Sequence, residues 1–185
     1  MIYQEREMEA RAALQAASKM CAAARTAPKG KGVDIIHTLA LAGEEKDLLA
    51  DKMDEIGSRG QGGEDCGWFG RDARCVRGAQ VVVLIGAENV CRGVPRCSYC
   101  GFQDCAACAR AGGRCAFAFV DLGVASASAA AVAAAEHIDN RIMFSIGKAA
   151  AEMGYRDEDV MWLGIPLSVS GKNIFFDRPP HNFSA

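Results

Sequence analysis

The chain has 185 residues, of which 50% are hydrophobic and 24% are charged, and its net charge is −2. This is the composition of a globular domain rather than of a disordered segment, and the small net charge and scattered Lys and Arg residues do not indicate a nucleic-acid-binding surface. The early Glu and Arg residues do not fit the apolar core of a signal peptide. We therefore expect one domain spanning residues 1–185, located in the cytoplasm, with a single hydrophobic core.

The first three predicted elements are a helix, a strand and a second helix. Residues 4–26 are rich in residue types that favour helices, and their apolar positions recur every three or four residues. Pro28 and the glycine-containing loop after it end this helix. Segment 33–41 predicts a strand because it contains β-branched and apolar residues, and segment 44–56 has an amphipathic helical pattern.

The middle of the chain contains its clearest strand. The glycine-rich segment 57–70 is predicted to be a loop or to contain one. Segment 80–86 has the sequence QVVVLIG, and its uninterrupted apolar run predicts burial on both faces, as in the middle of a sheet. Residues 117–137 predict a helix whose many small residues allow another helix or a cofactor to approach closely.

The last predicted elements are a helix over 142–153, which Gly154 ends, and a strand over 159–165, which Pro166 ends. Helices and strands therefore alternate along the chain. This order predicts an α/β or α+β domain with helices packed on a mixed central sheet. The apolar segment 116–135 is interrupted by Asp and Ser and consists largely of Ala, which argues against a membrane span.

The nine cysteines are the most informative part of the composition. An odd number cannot pair completely into disulfides, and in a reducing compartment so many cysteines favour metal or redox chemistry. Cys21, Cys66, Cys75 and Cys91 fit the ordinary role of small buried apolar residues. The remaining five lie within 19 residues among Gly, Arg and Ser, where that role does not fit. These five are Cys97, Cys100, Cys105, Cys108 and Cys115.

The spacing of these five cysteines is compatible with three kinds of metal centre. Two CxxC pairs could bind zinc, although only four residues separate the pairs where about a dozen or more are usual. The spacing from Cys100 to Cys108 matches plant-type [2Fe–2S] proteins, but no cysteine follows Cys115 to complete that set. A [4Fe–4S] cluster bound by Cys97, Cys100, Cys105 and a later cysteine fits best, because a short looping segment can supply three neighbouring thiolates.

Glycine and arginine residues in segment 91–115 support the [4Fe–4S] prediction. Gly101 allows the backbone to approach a cluster closely, and Gly112 and Gly113 allow the chain to reverse before Cys115. Four arginines and one acidic residue lie in this segment. Their positive charge would stabilise the reduced form of an anionic cluster, and it would equally suit a basic docking surface. The arginines are Arg92, Arg96, Arg110 and Arg114.

Several sequence segments resemble a known family. The sequence CSYCGFQDC at 97–105 resembles the CxxCGxxxC motif of small iron–sulfur redox modules of anaerobes. Longer segments resemble a family of small proteins described as containing a ferredoxin domain. Among them are AARTAPKGKGVD at 23–34, CAFAFVDLGVA at 115–125, DNRIMFSIGKAA at 139–150 and LGIPLSVSGKNIFFDR at 163–178.

This resemblance implies a site and a function. The implied cluster ligands are Cys97, Cys100, Cys105 and Cys115. Cys108 stands where the family motif needs no cysteine, so the choice between Cys108 and Cys115 as the fourth ligand stays open. The implied function is electron transfer by a [4Fe–4S] protein to or from a redox partner protein in anaerobic metabolism, without nucleic acid or membrane. A zinc-stabilised interaction module is a second alternative.

A weaker resemblance connects the chain with the FMN-binding nitroreductase fold. It rests on the helix ending in ARTAPK, the small-residue helix that begins near Asp121 and the late strand containing LGIP. It implies that Arg25, Lys29 or Lys31 would bind the flavin phosphate, in a homodimer with the site at the interface. The usual early Arg-Ser pair is missing, and a solvated basic loop explains the same residues. An FMN-dependent reductase carrying an iron–sulfur cluster is therefore the alternative function.

Overall fold

The computed structural model describes residues 1–59, 66–156 and 159–176. Helices and strands alternate as predicted, and the α/β class is confirmed. In chain order the elements are α1 (Glu5–Thr26), a short 3-10 helix (Gly30–Gly32), β1 (Ile36–Ala42), α2 (Gly43–Ser58), α3 (Gly67–Gly78), β2 (Val81–Glu88), α4 (Cys105–Arg110), α5 (Ala116–Ala135), β3 (Asp139–Asn140), α6 (Phe144–Met153) and β4 (Val160–Ser168).

The four strands form one sheet with the order β1-β2-β4-β3. Every pairing among the described strands is antiparallel, so the predicted mixed sheet is wrong in this respect. A single crossover helix would return the chain parallel to the strand it left. Two helices, α2 and α3, separate β1 from β2, and β2 therefore runs back antiparallel to β1.

The central strand β2 is buried on both faces, as its sequence predicts. Residues of one face, such as Val83 and Ile85, pack in the core formed with α1 and α5. Val82 and Leu84 point the other way, into the core formed with α2, α3 and α6. Helices therefore cover both faces of the sheet, and two apolar layers enclose β2.

Glycine permits the closest contact between a helix and the sheet. Gly147 lies in α6, and a Cβ atom at this position would stand 1.8 Å from the backbone oxygen of Trp162 in β4. Backbone cannot yield to such an overlap, so only glycine fits where α6 crosses β4. The predicted helix over 142–153 corresponds to α6, and Gly154 ends it with a left-handed φ of 67°.

The strand β4 continues beyond Pro166 to Ser168, so its predicted end at the proline is wrong. Pro166 stands opposite Val82 in the sheet register. Gly164 exchanges both backbone hydrogen bonds with Met143, at 2.8 and 3.1 Å, on the side away from β2. The nitrogen of Pro166, two residues later, faces that same side. No hydrogen bond to β2 is lost, and the strand therefore tolerates the proline.

The glycine-rich segment 57–70 is helical at both of its ends, so it is not a loop over its whole length. α2 includes Gly57 and Ser58, and α3 begins at Gly67. Residues 60–65, the centre of that predicted loop, lie outside the described residues. The other predicted helices and strands correspond to α1, α2, α5, β1 and β2.

α5 is the one helix among the described residues that is long and apolar enough to cross a membrane by length and composition. A face of this helix is buried instead in the core with α1 and the sheet. The buried residues include Ala118, Leu122, Ala125 and Ala129, whose mostly small side chains bring the two helices close together. These are the contacts of a core helix.

Candidate metal centre

The cysteine-rich segment 91–115 leaves the sheet after β2 and returns to it through α5. Its only regular element is the short helix α4. Asn89 connects the two ends of the segment: its side-chain oxygen accepts a hydrogen bond from the Cys115 N–H at 3.2 Å, and its side-chain nitrogen donates to the Gly113 oxygen at 3.2 Å. The segment is therefore a closed loop that starts at the end of the most buried strand.

The backbone of this loop turns sharply at five residues with left-handed conformation. Gly101 has a φ of 84°, which fits the glycine predicted to relax the backbone. Arg96 and Ser98 flank Cys97 and also have positive φ values, 57° and 47°. Such conformations are costly for residues with a Cβ and persist where the surroundings require them, often at functional sites. Gly93 and Gly112 complete the set.

The helix α4 places Cys105 and Cys108 one turn apart. Asp104, the only acidic residue of segment 91–115, caps this helix by accepting a hydrogen bond from the Ala107 N–H at 2.7 Å. The predicted chain reversal follows α4, where the Gly113 N–H donates to the Cys108 oxygen at 2.8 Å. A Cβ on Gly113 would lie 2.9 Å from the Cys108 sulfur, so glycine allows the returning chain to pack against that thiol.

A cavity of about 300 Å³ opens inside the loop, and six cysteines line it. All six are free thiols. The structure thus brings together the four predicted cluster ligands, the ambiguous Cys108 and one cysteine that was not predicted to take part. The lining cysteines are Cys91, Cys97, Cys100, Cys105, Cys108 and Cys115.

Cys91 is the site residue that sequence reasoning missed. It does pack against the apolar core, as predicted. However, its thiol also faces the loop and donates to the Cys105 oxygen at 3.7 Å. Burial raises the pKa of the Cys91 thiol, and the neighbouring Cys105 raises it further. Its position within segment 91–115, directly after β2, was the only signal that could have suggested this role.

Cys108 and Cys115 are the two most buried thiols of the cavity. Burial, together with a hydrogen bond to the Cys100 thiol, raises the pKa of Cys108 to about 11. In the metal-free protein this thiol is therefore protonated at neutral pH, and binding a metal there requires loss of the proton. Cys115 is the N-cap residue of α5, so a bond to its sulfur would connect the cavity to a core helix.

The donor set fits an iron–sulfur cluster. Thiolates are the ligands that such clusters take, and no histidine lines the described cavity. Among the described residues, no three His, Cys, Asp or Glu side chains converge as the ligands of a single ion must. Around one zinc ion all thiolates bind the same atom, whereas the thiolates of a cluster bind separate irons and stand farther apart.

Only two of the four predicted arginines line the cavity, namely Arg92 and Arg96. Arg114 pairs instead with Asp159 at 2.7 Å on the surface. Arg110 lies exposed in the last turn of α4 and does not line the described cavity. The positive charge next to the thiols is therefore smaller than the sequence suggests.

The three basic residues predicted for a flavin phosphate have separate partners within the chain. Arg25 forms an ion pair with Asp34 at 2.6 Å. Lys29 donates to backbone oxygens at the C-terminal end of α1. Lys31 donates to the Gly93 oxygen at 3.4 Å, beside the cysteine-rich segment. The structure thus does not direct these three side chains toward a common point.

Solved structures with the same fold include flavin enzymes. A nitroreductase with bound FMN from Desulfitobacterium hafniense DCB-2 aligns with a TM-score of 0.57 and 17% identity, over 98% of this chain and 84% of that one. The FMN-dependent nitroreductase NfnB from Mycobacterium smegmatis, in complex with NADPH, aligns with a TM-score of 0.55 and 14% identity, over 91% and 84% of the two chains. The chain therefore has a nitroreductase-like fold.

Sequence comparison identifies the family. A protein of Archaeoglobus fulgidus, named only as an uncharacterized protein, is 40% identical in an alignment of 188 positions that covers 97% of this chain and 99% of that protein. The family described as "Uncharacterized protein containing a ferredoxin domain (DUF2148)" matches residues 111–178. The chain belongs to this ferredoxin-domain family, as its sequence segments predict. The match includes Cys115 and begins after Cys108. The description of the family as containing a ferredoxin domain supports a redox role.

Proposed function

We propose that this protein is a one-electron carrier that binds a [4Fe–4S] cluster in the cavity of segment 91–115. It exchanges electrons with a redox partner protein in the cytoplasm, in anaerobic metabolism, without nucleic acid or membrane. The observation that carries the proposal is that six free cysteines line one cavity of about 300 Å³. The proposed ligands are Cys97, Cys100, Cys105 and Cys115.

Each proposed ligand is held by a different local structure. Cys97 and Cys100 are next to residues with left-handed backbone, Cys105 is the first residue of α4, and Cys115 occupies the N-cap position of α5. Phe102 is among the other side chains that line the cavity and would limit the access of water. When bound, the cluster supplies reversible one-electron storage, and this chain supplies the thiolates, their spacing and the apolar surroundings.

The first test is the metal content of the protein purified without oxygen from iron-replete cells. We expect about four irons and four acid-labile sulfides per chain. Stoichiometric zinc without sulfide would contradict the proposal and support the zinc-stabilised interaction module. About two irons and two sulfides would indicate a [2Fe–2S] centre instead.

The second test identifies the fourth ligand. We expect Cys115→Ser to lose most of the cluster or to convert it to a labile three-iron form, while Cys108→Ser keeps a near-normal absorption spectrum. Cys75→Ser is the matched control, because Cys75 is a half-buried thiol outside the cavity whose Sγ contacts the Ile174 oxygen. The opposite pattern for the two test variants would make Cys108 the ligand, and equal partial losses would leave the assignment to Cys115 unsupported.

An FMN-dependent reductase carrying the same cluster is a second candidate function. FMN is bound to the D. hafniense nitroreductase, which shares this fold. This protein would then be a homodimer with the flavin at the interface. Arg25 forms a close ion pair and Lys29 donates to two backbone oxygens, whereas Lys31 makes a single longer hydrogen bond to the Gly93 oxygen at 3.4 Å, so Lys31 is the better phosphate candidate. Release of FMN on heating, in a smaller amount from Lys31→Glu than from wild type, would support this function. An anaerobic preparation that contains no flavin and takes up none would leave electron transfer as the one remaining function of the two.

A further inference from the structure

A buried positive charge lines the cysteine cavity. The side chain of Arg92 is 1% exposed and forms part of the cavity wall. Nη2 donates to Asp121 Oδ2 at 2.8 Å, and Nη1 donates to the Val90 oxygen at 3.2 Å. The third nitrogen, Nε, has no hydrogen-bond partner in the described part of the chain. A buried N–H without a partner is costly and calls for an explanation.

Both carboxylate oxygens of Asp121 accept hydrogen bonds. Oδ2 accepts from Arg92, and Oδ1 accepts from the backbone N–H of Gly30 at 2.9 Å. Asp121 lies in α5 and is also buried. The 3-10 helix after α1 therefore holds the carboxylate, and the carboxylate holds the guanidinium in the cavity wall. Nothing in this chain of contacts explains why the buried Arg92 keeps a free donor.

We propose that Arg92 sets the reduction potential of the cluster and that Asp121 moderates it. The inference rests on the proposed function, since it requires a cluster in the cavity. The reduced cluster carries one more negative charge than the oxidised cluster, and a fixed positive charge beside it favours the reduced form. Because the Arg92 charge is buried, solvent and salt screen it much less than they screen a surface charge. The unpaired Nε–H leaves a donor for the anionic cluster.

The two members of the ion pair have opposite predicted effects. In Arg92→Gln the positive charge is lost and the carboxylate remains, so the reduced cluster is destabilised. At the wild-type midpoint potential, the ratio of oxidised to reduced cluster should rise from one to about ten, which corresponds to 59 mV for a one-electron couple. In Asp121→Asn the guanidinium is no longer neutralised, and the same ratio should fall to about one tenth.

The experiment is an anaerobic redox titration of the cluster-containing full chain, with dithionite as the one-electron donor and electron paramagnetic resonance as the readout. Arg92→Lys restores the charge and should return the ratio to within about twofold of wild type. The control pair is Arg114→Gln and Asp159→Asn, an ion pair of similar length exposed at the surface. Each control should change the ratio less than about twofold, because solvent screens surface charges.

The outcomes separate a tuning role from a structural one. If Arg92→Gln and Asp121→Asn both lower the cluster content or the stability while their potentials stay at the wild-type value, the pair is only a structural contact and the inference is overturned. Shifts in the same direction would overturn it as well. A wild-type protein without any cluster would instead contradict the proposed function itself. Iron and sulfide analysis of the wild-type protein gives that result before any variant is made.

Discussion

The central strand β2 and the cysteine-rich segment that follows it are adjacent in sequence but are held by different forces. Seven consecutive residues of β2 are buried, and its backbone pairs with strands on both sides. In segment 91–115 only α4 is regular, and five residues have left-handed backbone. Burial of apolar surface stabilises the strand. The segment lines the cysteine cavity, and in the proposed function the bound cluster supplies much of its order.

Removal of the proposed cluster should give the largest difference between the two regions, measured as their rates of amide hydrogen exchange. After treatment with EDTA and ferricyanide, followed by reduction of the thiols, we expect amide hydrogen exchange in segment 91–115 to accelerate by about 100-fold or more. Exchange in β2 should change less than about threefold, because its backbone pairs with β1 and β4 and not with segment 91–115. Hydrogen–deuterium exchange with mass spectrometry measures both regions in one sample.

Two results would contradict this picture. Equal acceleration in β2 and segment 91–115 would mean that the cluster stabilises the whole fold. Unchanged exchange in segment 91–115 would mean that the loop is ordered by its own contacts, such as the capping of α4 by Asp104. A mock-treated sample that keeps its cluster serves as the control.

The stability of the sheet and its helices depends on close packing between α6 and β4 at Gly147. In Gly147→Ala the new methyl group would overlap the Trp162 oxygen, which stands 1.8 Å from the ideal Cβ position. We expect the free energy of unfolding to fall by about 3 kcal/mol, because α6 must move away from β4. Urea unfolding followed by circular dichroism measures this loss. Protein that remains folded should keep its full iron content.

Gly123→Ala in α5 is the matched control for that substitution. Gly123 is exposed, and a Cβ there would meet no atom within 4 Å. Its unfolding free energy should therefore rise by about 0.5–1 kcal/mol, as expected for replacing an unconstrained helical glycine. No loss for Gly147→Ala would show that the contact between α6 and β4 does not require glycine, and an equal loss for Gly123→Ala would show that the effect of Gly147→Ala is not specific to that contact.

The sequence predicted β2 and most helices because the spacing of apolar residues within a short segment indicates which of its faces is buried. It missed α3, since glycines at both ends of that helix disguise a helical pattern. The signal was present in Phe69, Ala73 and Val76, which are spaced three to four residues apart and are buried. The antiparallel arrangement was also missed, because strand direction depends on the path of the chain between two strands and not on the strands' own residues.

The candidate site was predictable only in part. Cysteine spacing marked the loop, because four ligands of one cluster can come from a short segment. Cys91 was read as a core residue, since a single cysteine after an apolar strand has no distinguishing neighbours. The contact between Arg92 and Asp121 spans 29 residues and depends on how α5 packs beside the loop. Such pairs are determined by the tertiary structure, and no local sequence pattern indicates them.

The smallest expected effect concerns Tyr155, which packs against the core formed with α2, α3 and α6. Its hydroxyl donates to Glu45 Oε1 at 3.0 Å and so connects the end of α6 to the start of α2. Burial raises the pKa of Tyr155, and the hydrogen bond to Glu45 raises it further. We expect Tyr155→Phe to lose about 0.5 kcal/mol of unfolding free energy near neutral pH. The iron content should not change, because Tyr155 does not line the cavity.

The pH dependence of that loss provides a second measurement. A tyrosine in the unfolded chain ionises near pH 10, whereas the folded protein keeps the Tyr155 hydroxyl protonated to higher pH. The stabilising contribution is therefore complete below about pH 10 and decreases as the pH rises above that value, because the unfolded state then loses a proton that the folded state retains.

The stability difference between wild type and Tyr155→Phe, measured by urea unfolding at about pH 8 and about pH 10.5, should shrink or reverse at the higher pH. Tyr3→Phe is the control for loss of a tyrosine hydroxyl, since the hydroxyl of Tyr3 contacts Met1 at the exposed N-terminal end of the described chain, and it should change the unfolding free energy little at about pH 8. If the Tyr155→Phe difference is constant with pH, Tyr155 does not retain its proton as proposed; if the variant also loses iron, the sheet and the cysteine-rich segment are coupled more closely than their contacts indicate.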